Sequence, residues 1–205
     1  MPIVGRTLKE CAEQFRAILS KLSTSVLHTT KVVRTLEHDS RVLIGIFDGK
    51  GNISDVQLDG TTSPLFLRFW QTVAITPTDG EVGRGKGKRA FRLQTLEYNY
   101  HLSDEQGGEP LLRWEYVKVP KDNAQYCRNH LQGRLQLSDG RTQLDFRKMH
   151  VPTGYLPLEE VFRFVIDDLG HRPPCGSDWP AVLEASKKQF HEELSSKPHR
   201  YIAPR

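Results

Sequence analysis

The stretch that decides the fold runs from LEYNYHL (Leu96–Leu102) through LLRWEYVKV (Leu111–Val119), RNHLQGRLQL (Arg128–Leu137) and QLDFRKMHV (Gln143–Val151) to LEEVFRFVIDDL (Leu158–Leu169). The first four segments alternate apolar and polar residues, the period of a half-buried strand. The fifth repeats Leu158, Val161, Phe162, Val165, Ile166 and Leu169 at helical spacing, with Pro157 in its first turn and Gly170 past its end. SDEQGGE (Ser103–Glu109) and Asp139-Gly140 are hairpin signals between neighbouring strands. Strands joined by short turns predict an antiparallel meander rather than βαβ units.

Side chains alternate along a strand, so parity sorts these residues by face. Leu96, Tyr98, Tyr100 and Leu102 fall on one face, and Glu97, Asn99 and His101 on the other. Leu112, Trp114 and Tyr116 separate in the same way from Leu111, Arg113 and Glu115. A hairpin centred near Gln106 places Asn99 opposite Arg113 and His101 opposite Leu111. In the next strand Leu131, Leu135 and Leu137 oppose Arg128, His130, Gln132 and Arg134. In the last, Leu144 and Phe146 share parity with Lys148 and His150. Either a bulge intervenes there or His150 lies at the strand end. The leucine and tyrosine face is the expected core; the Arg/His face is either a site or a solvated surface.

Outward from this block, Thr7 and Glu10 form a capping box, and Leu8, Cys11, Ala12, Phe15, Ile18, Leu19 and Leu22 predict a helix over 8–22. Lys31–Glu37, Arg41–Phe47 and Leu65–Ile75 read as strands. Asp48–Asn52 is a turn that joins Val42–Phe47 to Ile53–Leu58 as a hairpin. Residues 77–89, PTDGEVGRGKGKR, read as a mobile basic loop; they lack the GxxxxGK[ST] spacing of a phosphate loop. After Leu169, Ser177 or Asp178 caps a last helix bearing Trp179, Leu183, Ser186, Phe190 and Leu194, and 197–205 is a loose tail. The expected architecture is a single α+β domain: an antiparallel meander with one N-terminal helix and two C-terminal helices.

The chain has 205 residues, enough for a core without covalent staples. Its +4 net charge and pI near 9.0 favour polyanionic partners. Cys11, Cys127 and Cys175 are scattered and odd in number, which predicts no disulfide framework and a reducing, cytoplasmic setting. The start MPIVGRTLKECAEQF lacks an apolar leader core, and no apolar run is long enough to span a membrane.

Three histidines and several arginines on neighbouring strands suggest chemistry on phosphate. RNA is cleaved by its own 2′-hydroxyl when a base, an acid and a charge-neutralising donor converge. Histidine supplies the first two, since its pKa near ~6.5 allows either form near neutrality. Arginine supplies the third. On this reading His130 and His150 are the acid–base pair. Arg113 and Arg134 hold phosphate, and Tyr100 or His101 assists. Arg84, Lys86, Lys88 and Arg128 extend a nucleic-acid-binding surface. No metal or cofactor is called for. Cys127-x-x-His130 is half of a zinc pattern, and His171 with Cys175 is another half without partners. The alternative is a non-catalytic nucleic-acid-binding or protein-interaction module using the same face.

Tyr98, Tyr100, Arg113, Trp114, Tyr116, Asp122-Asn123, His130, His150 and Leu158-Glu159-Glu160-Val161 together resemble TumE-type toxin domains of bacterial toxin–antitoxin pairs. The likeness covers residues 96–169. It implies an RNA-directed toxin activity and an antitoxin-like protein partner. Such domains carry denser histidines after the Asp-Asn, where this chain has Gln125, Tyr126 and Cys127.

Overall fold

The computed structural model describes residues 8–29, 33–38, 41–77, 91–118, 128–134, 136–138, 143–145 and 149–194. Helix α1 (Leu8–Val26) comes first, longer than its expected span. Ala12, Phe15, Leu19, Leu22 and Val26 form one buried stripe at alternating three- and four-residue steps. Strands β1 (Val33–His38), β2 (Arg41–Ile46), β3 (Val56–Leu58), β4 (Leu65–Pro77), β5 (Phe91–Ser103), β6 (Leu112–Val117), β7 (Asn129–Gln132), β8 (Gln136–Ser138), β9 (Gln143–Asp145) and β10 (Val151–Pro152) follow. Helices α2 (Leu158–Asp167) and α3 (Trp179–Leu194) close the chain, with a single 3-10 turn before α3. This is the α+β order that the sequence implies.

The main sheet has eight antiparallel strands in the order β1-β2-β4-β5-β6-β7-β10, with β3 also paired to β4. Strands β8 and β9 form a separate pair. Val42, Ile44 and Ile46, then Leu67, Phe69 and Val73, then Tyr98, Tyr100 and Leu102 enter one core with the stripes of α1 and α2 and with Leu183 of α3. Phe69 meets Phe162 edge-to-face at 6.0 Å. The helices therefore cover one sheet face, and the polar parity set of β4 to β7 lies on the other.

Four expectations change in detail. The Asp48 turn exists, with its carboxylate accepting the N–H groups of Lys50 (2.8 Å) and Asn52 (2.9 Å). The hairpin beyond it is a single Phe47–Ile53 bridge. Strand β3 instead pairs with the first residues of β4, an edge that the shorter β2 leaves open. Strand β5 begins five residues early and carries a bulge opposite Thr72/Val73. That bulge leaves Leu96 without a partner in the ladder to β4. The β5–β6 hairpin is centred on Gly107, so His101 pairs with Arg113 and Asn99 with Glu115. The register differs by two residues from the expected one, which preserves every face. Finally, the expected strand 128–137 breaks at Gly133, and 143–151 divides into β9 and β10. The Gly133 α-carbon packs so closely on β6 that an added Cβ would lie 2.0 Å from the Leu111 carbonyl oxygen. The Thr7 cap, most of loop 77–89, the Asp139-Gly140 turn, Cys127 and the 197–205 tail lie outside the described residues.

A second polar cluster fastens the helical layer. Gly170, in the left-handed region at φ +77°, turns the chain after α2 and leads into buried His171. His171 Nε2 lies 2.7 Å from the Val26 carbonyl, and Nδ1 lies 3.0 Å from the Asp59 N–H. A carbonyl only accepts, so Nε2 carries a proton toward Val26, while Nδ1 lies against both the Asp59 N–H and, at 3.1 Å, the Asp59 carbonyl oxygen. Both nitrogens are engaged by backbone, which answers the half zinc pattern with a structural role. His28 adds a 2.9 Å contact to the Arg172 carbonyl and lies 3.6 Å from the Asp59 carboxylate. His171→Leu is expected to lower stability by about 2 kcal/mol, since it strands the carbonyl of fully buried Val26 and the Asp59 N–H. Denaturant midpoints of the two proteins measure this; equal midpoints would make the clasp dispensable.

Candidate acid-base site on the open sheet face

Two polar rungs cross β5, β6 and β7. One aligns His101, Arg113 and Gln132; the other aligns Asn99, Glu115 and His130. Because β10 pairs Val151 with Leu131, His150 falls beside Gln132 and extends the first rung. Strand pairing thus gathers side chains from four segments that are far apart in sequence.

The hydrogen bonds follow from donor chemistry. Arg113 only donates, so its Nη2 contact fixes the Gln132 carbonyl oxygen toward it. The Gln132 amide nitrogen then faces His150 Nε2 at 3.2 Å. An NH2 group there needs an acceptor, so His150 Nε2 is unprotonated. In the other rung the Glu115 carboxylate accepts from His130 Nε2 at 2.9 Å, with Arg113 Nη1 3.7 Å from its second oxygen. The His130 and His150 rings stand 4.9 Å apart, centre to centre. His150 is exposed, whereas His130 retains 3% of its surface and Gln132 5%.

These surroundings set the charges. Burial, then the neighbouring His130 and Arg113, holds the His150 pKa below its usual value. Burial opposes the charge on Glu115, but the His130 hydrogen bond and Arg113 outweigh it and keep the carboxyl below its ordinary range. Burial lowers His101 to about 4, with the Arg68 and Arg113 cations adding to the effect. The His101 ring packs edge-on to Trp70 at 4.9 Å, and its Nε2 has no partner among the described residues. His101 is thus a neutral ring beneath the rung rather than a proton donor.

The His101 environment has a stability consequence. Its folded pKa of about 4 lies below the ordinary 6.5, so the unfolded chain binds more protons between those values. Stability is full above pH ~6.5 and falls on acidification toward about 4, by on the order of 3 kcal/mol. Glu115, held low, adds a further loss below its ordinary range. His101→Phe keeps the ring packing and is expected to flatten the upper part of this profile. A pH series of denaturation midpoints measures it, and parallel profiles would sink the assignment.

Parity brings His101, Arg113 and His130 to one face, and the pairing of β10 with β7 adds His150. Tyr100 is elsewhere: it lies on the helical face with no exposed surface, and its hydroxyl accepts from the Gln71 amide at 2.8 Å. Arg128 is exposed at the start of β7, beside Tyr116. Arg134 is past Gly133 and is ion-paired with Asp104 on the β5–β6 turn. Arg84, Lys86 and Lys88 lie outside the described residues. Sequence reasoning left Glu115 and Gln132 without roles. Their shared parity with Arg113 and His130 was the available signal. It also missed the bidentate pair of Arg68 with Asp55, at 2.7 and 3.0 Å. Asp55 additionally accepts the Gly107 N–H at 2.7 Å, so it ties the β5–β6 turn to β4. Among the described residues no three His, Cys, Asp or Glu side chains gather as metal ligands, and no helix is long and apolar enough to cross a membrane. No family model, no curated protein and no solved structure matches the chain.

Proposed function

We propose that this chain is a metal-independent ribonuclease of the toxin kind, with its reaction centre at His150, Arg113 and His130. The observation that carries the proposal is the unlike surroundings of two adjacent imidazoles. His130 faces a carboxylate, while His150 faces an amide NH2 and lies near a guanidinium. One ring is thereby suited to give a proton and its neighbour to take one.

In the proposed reaction the RNA 2′-hydroxyl takes the place of Gln132 at His150 Nε2 and gives up its proton there. The 2′-oxygen forms a bond to phosphorus as the bond from phosphorus to the 5′-oxygen breaks. His130 protonates the departing oxygen, and Arg113 neutralises the charge on the phosphoryl oxygens. The products are a 2′,3′-cyclic phosphate and a 5′-hydroxyl. His130 and Gln132 are both buried, so a substrate that displaced Gln132 would open the way to His130 beside His150. An antitoxin-like protein that covers the open face would block the same reaction.

The test is cleavage of single-stranded RNA by the purified chain in EDTA, with the 3′ ends analysed. Cyclic phosphate ends and a bell-shaped rate profile across roughly pH 5–8 are expected, since one ring must be neutral and the other charged. RNA that binds but stays intact would favour the non-catalytic module. Cleavage that EDTA abolishes would place the chemistry elsewhere.

A further inference from the structure

Two large apolar side chains are exposed among the described residues, Met149 and Tyr155, each at 36%. They lie on either side of strand β10, Met149 next to His150 and Tyr155 beyond the strand. An isolated exposed apolar residue needs no explanation, but Tyr155 is anchored. Its hydroxyl is held by Thr95, and burial around that hydroxyl pushes its pKa up. Its ring stands perpendicular to Tyr98 at 5.5 Å and to Tyr116 at 5.9 Å. Tyr98 also accepts the N–H of Leu156 at 3.0 Å, which fixes the backbone next to Tyr155. The result is an anchored aromatic residue that keeps 36% of its surface open to solvent.

The bulge at Leu96 is what makes this anchor. Thr95 pairs with core-facing Val73, which turns it to the helical face where Tyr155 lies. Strand β10 then runs along the sheet edge between the two sites. His150 lies before it on the open face and Tyr155 three residues after it on the helical side. Five residues separate them, at most about 18 Å of extended chain. Arg128, which by register shares the open face with His130, lies at the same sheet edge and is near enough to act electrostatically on Tyr116.

We propose that Tyr155 is a stacking platform for a base of single-stranded RNA, with Arg128 holding the adjoining phosphate, at a short chain distance from the phosphate bound by Arg113 and His150. This rests on the ribonuclease reading and extends it: the substrate is unpaired, and it wraps the sheet edge. Stacking on a fixed aromatic strengthens binding about tenfold per base and tolerates any sequence. Tyrosine loses little rotamer freedom in such a role.

The experiment uses the full chain and fluorescein-labelled 2′-O-methyl decanucleotides, which lack the attacking hydroxyl. One oligonucleotide carries bases and the other is abasic on the same backbone. The base-bearing probe is expected to bind about tenfold tighter. Tyr155→Leu should erase that preference, and Tyr155→Phe should keep it. If Tyr155→Leu does not fold, Tyr155→Trp decides: its fluorescence should be quenched by the base-bearing probe and not by the abasic one. Equal binding of both probes by the wild type, a preference that survives Tyr155→Leu, or absence of quenching overturns the platform and leaves the ribonuclease reading intact. Binding of neither probe overturns both.

Discussion

His150→Ala is expected to reduce RNA cleavage by about 10²–10⁴-fold, the usual contribution of a positioned proton-transfer group. The fold should be unaffected. The side chain is exposed, and after its removal the Gln132 oxygen stays bound to Arg113. His130→Ala is a different experiment. It empties a buried position and strips the Glu115 carboxylate of its 2.9 Å donor, so a cost of about 1–3 kcal/mol accompanies any kinetic effect. His150 is therefore the informative variant, and His130 variants need a stability measurement beside the rate. The two losses should not add, since both groups serve one transition state. Full activity in folded His150→Ala would remove His150 from the reaction.

Gly133→Ala should be the most damaging single methyl in the described sheet. The new carbon would meet the Leu111 carbonyl oxygen at 2.0 Å and its carbon at 2.8 Å. Neither is a flexible side chain that can swing away. Strand β7 would have to separate from β6, and the 3.0 Å bond from the Arg134 N–H to the Leu111 oxygen would stretch. Overpacking of a sheet backbone at this scale costs about 3 kcal/mol. That corresponds to a fall of roughly 6–12 °C in thermal midpoint for a chain of this size. Gln132 and His130 precede Gly133, so the variant should also cleave RNA poorly at temperatures where it is folded. Thermal scans and rates at low temperature measure both effects. An unchanged midpoint would mean that the close approach of β6 and β7 is not required.

Much of this arrangement was legible because parity survives errors of register. The expected pairing of His101 with Leu111 was two residues off, yet His101, Arg113 and Glu115 still share a face. The paired glycines Gly107 and Gly108 permit more than one hairpin centre, and nothing local selects between them. Parity likewise places Tyr100 opposite His101, so assigning both to one site set chemistry above geometry. The burial of His130 was not legible. The His150 ring 4.9 Å away is part of its surroundings, and His150 arrives just before a strand whose pairing the sequence left open. The bulge at Leu96 was hidden for the same reason, since it is a property of the β4–β5 ladder and not of either strand alone.

Strand β10 has only two residues, and one of them, Pro152, has no N–H to give the ladder. The loop that brings His150 to the rung is therefore docked by the weakest pairing in the main sheet. Local opening free energies vary widely within a protein, and short edge segments fall at the low end. On the proposed mechanism, opening of this edge would take His150 off the rung, and activity would scale with the docked fraction. Amide hydrogen exchange at Val151 and Thr153 would report that fraction, being faster than exchange in β6. A protein that gripped the undocked loop would block the proposed reaction without approaching Arg113, and one that clamped β10 onto β7 would favour it.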